Sequence, residues 1–292
     1  MSSAPATSPT PQAPVLEAAG LPEPSPRFRA RQLQGIVRLE LRKSFLSRRA
    51  LGLLALAAAA PFLLTMRILF AHPSPDALGE STQAFAGPIF QAFLLRIVLF
   101  LGCVSAFGNL IRREVLDRTL HFYFLSPIRR ELLVVGKFLT GWIATFTIFG
   151  AATLASFVLS YVNAEGGAAF LASGTGISHL ARYLLVVALG CCGYGALFLT
   201  FGFFFRSPAI PALLVFGWEG IHFLLPPFLK QASVIHYLQA LCPVPVSEGP
   251  LALVSDAPHP VIAVLGVLLF SAVLVAVSAW RVRKMEIKYE ED

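Results

Sequence analysis

The sequence predicts an all-α membrane protein: six transmembrane helices, an amphipathic helix ahead of them, and a short helical piece in the loop between spans two and three. Three observations predict it. Hydrophobic residues fill 56% of the 292 positions and charged residues only 13%, against about 25% charged in soluble domains. Apolar runs near the ~20 residues that a helix needs to cross the hydrocarbon recur along the chain. The basic excess, 23 Lys and Arg against 16 Asp and Glu, gathers at the ends of those runs instead of forming one continuous polar face. That pattern excludes a nucleic-acid-binding surface and suits anionic membrane lipids.

Residues 1–30 are rich in Pro, Ala and Ser and lack hydrophobic periodicity. They are expected to be a disordered cytoplasmic tail, with no short basic start followed by an apolar core that would mark a secretory signal. Residues 31–49 differ. Leu33, Val37, Leu41 and Phe45 step by four along one face, while Arg31, Arg38, Arg42 and Arg49 occupy another. A basic amphipathic helix of this kind is expected to lie in the membrane interface with its apolar face down.

Residues 50–285 form one membrane domain. Its spans fall at about 50–70, 88–111, 138–162, 179–205, 209–229 and 260–280. Arg67 snorkels at the far end of the first span. The stretches 72–87 and 163–178, with their Pro, Ser, Asp and Gly residues, read as outer loops. Arg206-Ser207-Pro208 reads as a very short inner turn. The connection from Lys230 to His259 is apolar for a loop: Val234–Leu241, stopped by Pro243 and Pro245, and Gly249–Val254 are each too short to cross and suit interfacial or re-entrant helices. Arg281, Arg283 and Lys284 hold the last span, and with it the 286–292 tail, on the inner side. The outer loops receive essentially Lys230, with Arg67 and Arg182 near span ends, so the arginine bias places both termini in the cytoplasm.

The most charged stretch lies between spans two and three and runs from Arg112 to Lys137. Leu116, Leu120 and Phe124 repeat at i, i+4 and i+8, with Glu114, Asp117, Arg118 and His121 beside them. Ser126 supplies an N-cap hydroxyl, and Pro127 suits the first helical position because its missing N–H was unpaired in any case. Arg129, Arg130 and Glu131 then lead straight into the third span. Two helical pieces hinged on a proline and joined to a span are built to transmit force.

Glu114, Arg118-Thr119-Leu120, Ser126-Pro127-Ile128-Arg129-Arg130-Glu131 and Gly136-Lys137-Phe138 together resemble the first cytoplasmic loop of ABC-2-type transporter permeases. The rest of the chain resembles that family only in its hydropathy plan. The resemblance implies that residues 31–49 are its elbow helix and that the loop carries a coupling helix docking on a separate ATPase. Glu114, Leu116, Asp117, Arg118, Thr119, Leu120, Phe124, Pro127, Arg129 and Arg130 would then be the ATPase-coupling residues. It also implies two ATP-binding subunits, which bind ATP and Mg, and a second permease chain, as a homodimer or with a related chain. The location implied is the bacterial inner membrane, and the direction is export.

The chain itself has no cofactor site in its sequence and is not expected to be an enzyme. Gly136-Lys137 is followed by Phe138, and Glu131 stands where a phosphate-binding loop needs its first glycine. Glu219-Gly220-Ile221-His222 lacks the second histidine of a zinc helix, and no Gly-x-Ser-x-Gly elbow occurs. Cys103, Cys191 and Cys192 fall in spans and Cys242 in a loop, with no disulfide framework. Ionisable groups within spans are functional candidates. Here they are Arg96 in span two and the i, i+3 pair Glu219 and His222 in span five. Either they line a translocation path, or they are a polar pair that fixes helix packing. An ion-coupled secondary transporter working through Glu219 and His222 and a non-transporting membrane anchor for an ATPase are the alternatives.

Overall fold

The computed structural model describes residues 26–45, 48–71, 78–108, 110, 130–162, 164–205, 207, 209–246 and 258–283. Among the described residues all regular structure is helical. We number the helices α1 (Pro26–Phe45), α2 (Arg48–Ala71), α3 (Leu78–Phe107), α4 (Arg130–Tyr161), α5 (Gly167–Ala172), α6 (Gly174–Phe204), α7 (Ala209–Gly220), α8 (Pro227–Lys230), α9 (Val234–Ala240) and α10 (Pro260–Arg283). Five helices are long and apolar enough to cross a bilayer: α3, α6, α10 and most of α2 and α4.

α6 is the hub, with 67% of its most apolar window buried against 17% for α2 and 22% for α10. It packs on α10, α4 and α3, while α2 leans on α4 from outside. Its hub position follows from its small residues. Phe107, at the end of α3, is wedged between Gly141 of α4 and Gly195 of α6. A Cβ on Gly141 would stand 2.5 Å from its ring, and one on Gly195 2.7 Å. Gly102 of α3 receives Phe149 of α4 in the same way. In lipid, helices associate through such close packing, since apolar surface alone gives no advantage of protein over lipid. At the other end of the bundle Phe85, Phe90, Phe157 and Tyr183 form an aromatic cluster, with the Phe85 and Tyr183 rings edge to face at 5.0 Å. Such contacts add to the burial of the rings themselves.

Several boundaries differ from the sequence reading. α3 begins at Leu78, ten residues before the expected span, because Gly79-Glu80-Ser81-Thr82 folds as a first turn instead of a loop. Thr82 returns its hydroxyl to the Leu78 carbonyl at 2.8 Å, and Tyr161 of α4 donates to Thr82 at 3.1 Å. Those bonds shelter polar groups that hydropathy alone assigns to water. The 163–178 loop contains α5, and α6 starts early because Ser173 caps it, accepting from Gly176 N–H at 3.1 Å.

Within α3, residues Phe85–Leu99 are wound as a π-helix. Pro88 lies in its first turn, and with no N–H it leaves one rung of the ladder unmade. The buried positions Ala86, Phe90, Gln91, Leu94, Leu95, Val98 and Leu99 keep pace with the wider turn.

The largest departure concerns 209–229, expected as one span. α7 ends at Gly220, where Ile221 N–H closes the last turn on the Gly217 carbonyl. One 3₁₀ turn follows at His222–Leu224, with Leu224 bonding Ile221 and Leu225 bonding His222. Pro226 and Pro227 have no N–H to continue any helix. Instead the Pro226 carbonyl accepts from Leu229 and Lys230, starting α8. Lys230, assigned to outer water by the charge pattern, is 2% exposed.

Candidate functional site

The break after α7 brings its polar residues against α9. Glu219, in the last turn of α7, is buried. Its carboxylate accepts from Ser233 Oγ at 2.5 Å and Val234 N–H at 3.1 Å, with Ile235 N–H farther off at 3.4 Å. Val234 and Ile235 open α9, and the first N–H groups of a helix have no partner within it. Ser233 holds the N-cap position but spends its hydroxyl on Glu219, so the cap comes from a carboxylate fourteen residues earlier in sequence. A negative charge there also meets the positive end of the α9 dipole.

Two further helices reach this carboxylate. Arg96, on the π-helical stretch of α3, lies within electrostatic range of it, and Tyr194 of α6 lies within electrostatic and hydrogen-bonding range. Four elements thus converge on Glu219. Of the candidate residues, Arg96 thus comes within electrostatic range of Glu219. His222 turns elsewhere: its buried ring lies 5.7 Å from that of His236 on α9, which in turn meets Tyr237 edge to face at 5.5 Å.

A second polar seam continues along α3 and α9. Gln91 donates to the Val244 carbonyl at 3.4 Å, and Gln239 donates to Gln91 Oε1 at 3.5 Å. The chain of 234–246 is therefore folded over the π-helical stretch, as a short helix and the turn after it. The expected helix at Val234–Leu241 is α9, which ends at Ala240. The one expected at Gly249–Val254 lies outside the described residues.

Sequence reasoning missed Ser233, Tyr194 and His236. Only Ser233 carried a signal, as a capping residue just ahead of an apolar helical run. The other two are ordinary amphipathic residues whose partner is set by packing.

The ATPase-coupling candidates Glu114, Leu116, Asp117, Arg118, Thr119, Leu120, Phe124, Pro127 and Arg129 lie outside the described residues. Arg130 opens α4. What is described is the base onto which that segment leads. α1 packs along the start of α4, where a Cβ on Gly136 would stand 2.8 Å from Ile36 Cγ2 and 3.4 Å from Leu33 Cδ1. Part of the apolar stripe of α1 is therefore turned toward protein instead of lipid. Beside it, Lys137 Nζ is buried and lies 3.7 Å from Glu40 Oε1. Glu131 pairs with Arg283 at the end of α10. The first two turns of α4 are thereby tied to α1 and α10.

Among the described residues no three His, Cys, Asp or Glu side chains gather as a metal site. No protein-family model matches the sequence, and no curated protein matches it. Fold and site define an all-helical, multi-pass membrane protein. Its buried polar groups hold a broken helix in place at one end of the bundle, and its ion pairs brace one helix base at the other.

Proposed function

We propose that the chain is the permease subunit of an ATP-driven exporter resembling the ABC-2 type. It would form the membrane pathway with a second copy of itself and couple to separate ATPase subunits. The observation that carries this reading is the charged segment 112–129, with its apolar i, i+4, i+8 ridge, feeding directly into α4 at a base braced by α1 and α10. A push on Leu116, Leu120 and Phe124 would pass through Pro127 into α4. From there it would reach α6, against which α4 is packed. In this reading α1 serves as the elbow helix, and α7 with the chain to Lys230 completes a sixth, broken span. The arginine-rich end faces the cytoplasm, and the membrane is the bacterial inner membrane.

The cap on α9 supports a positioning part for Glu219, with Arg96 as its charge partner. A carboxylate already shared by three donors is poorly placed to exchange ions, which weighs against ion-coupled transport through Glu219 and His222.

The test is to purify the tagged protein in mild detergent and identify what accompanies it. A P-loop ATPase should co-purify with the wild type and be lost from the Leu120→Asp/Phe124→Asp variant. Recovery of the permease alone, with transport unaffected by ATP depletion, would overturn the reading.

A further inference from the structure

The bundle end that carries α5, α9 and the start of α10 has a trough of about 450 Å³ on its outer surface, between α6 and α10 and roofed by the residues after α9. Its walls are mostly apolar, with Leu185, Leu241, Cys242, Val261 and Leu265 among them. Leu185, Val261 and Leu265 face outward, at 44%, 58% and 60% exposure. One wall residue is charged, Arg182. It is exposed, and no carboxylate among the described residues pairs with it. That one guanidinium makes the corner cationic.

Arg182 stands eight residues into α6, about 12 Å along its axis at 1.5 Å per residue. It shares the trough with Pro260 and Val261, the first residues of α10. Arg182 is therefore level with the start of the apolar run of α10, and the apolar walls continue from it along α10 to Leu265.

We propose that this trough is a binding site for one anionic phospholipid. Its phosphate would be held by Arg182, and one acyl chain would lie along Leu185, Val261 and Leu265. The match is one of chemistry: a single cation at the mouth of an apolar groove complements an anionic head on a hydrocarbon tail. The site uses none of the polar groups of the α3–α9 seam or of the charged base of α4, so it stands or falls independently of the transporter reading.

The experiment uses full-length protein in nanodiscs of phosphatidylcholine doped with phosphatidylglycerol, with bound lipid counted by native mass spectrometry. The wild type should retain phosphatidylglycerol over phosphatidylcholine. Arg182→Gln should reduce that preference about fivefold, the scale of one basic side chain at an anionic surface. Val264→Trp, which fills the trough, should lower retention of both lipids. Phosphatidylglycerol carrying a photoreactive acyl chain should cross-link to residues 261–265. Inorganic phosphate at millimolar concentration should not displace it. Equal retention by wild type and Arg182→Gln would overturn the proposal. So would displacement by free phosphate, or cross-links between two protein copies at residues 261–265 in place of lipid cross-links.

Discussion

Replacing Glu219 by Gln separates a cap from a transport residue. The substitution keeps size and shape but exchanges one carboxylate oxygen for an NH₂ group. Ser233 Oγ and Ile235 N–H both point to Oε2, and Val234 N–H points to Oε1. Whichever way the amide is turned, its NH₂ faces at least one backbone donor of α9 and cannot accept from it. The charge opposite the helix dipole is lost as well. Bonds to charged groups contribute about 1.5–3 kcal/mol each, and side-chain bonds measured inside membranes about 0.6–1.7. One lost acceptor plus a weakened second bond gives an expected loss of about 2 kcal/mol. The readout is amide hydrogen exchange at Val234 and Ile235, with thermal unfolding in detergent alongside. Exchange there should rise about thirtyfold, the factor that corresponds to 2 kcal/mol, with little change in α4 or α6. Ser233→Ala removes one bond and should cost less, and the double variant should cost less than the two single changes summed. Unchanged exchange at 234 and 235 together with lost transport would refute the capping argument and return Glu219 to the pathway.

Two further outcomes follow from packing and charge. Gly195→Ala places a methyl 2.7 Å from a Phe107 ring that Gly141 blocks from behind. It should therefore destabilise by about 1–3 kcal/mol, and Phe107→Leu should restore most of the loss in a thermal unfolding assay. At the base of α4, Glu40→Gln leaves the Lys137 ammonium buried without its carboxylate. It should cost about 3 kcal/mol, whereas Glu40→Leu combined with Lys137→Met should cost much less. If the pair is dispensable, both variants will melt with the wild type.

Much of the helical framework was legible because crossing hydrocarbon is a local requirement. Ala50–Phe70 and Pro260–Trp280 could be read directly, since each run is apolar but for Arg67 near one end and is closed by chain that favours water. The reading failed where a polar group finds shelter in another helix. Glu80, Ser81 and Thr82 looked like loop, yet Tyr161 reaches Thr82 from α4 and α3 begins at Leu78. The span at 209–229 looked continuous because its mean composition is apolar despite Glu219 and His222, and hydropathy is blind to the missing N–H groups of Pro226 and Pro227.

The sequence by itself determined that this chain is helical and built for a bilayer, and which end of each helix carries charge. Those properties follow from the desolvation of consecutive residues. It also named Glu219, His222 and Arg96 as the costly groups, because an ionisable side chain in an apolar run is conspicuous wherever it points. Tertiary structure alone decided their partners: Glu219 caps α9 near Arg96 and Tyr194, and His222 meets His236. It alone put Phe107 between Gly141 and Gly195. A hydrogen bond or a ring in a notch depends on how two helices cross, and that angle is set by all their contacts together.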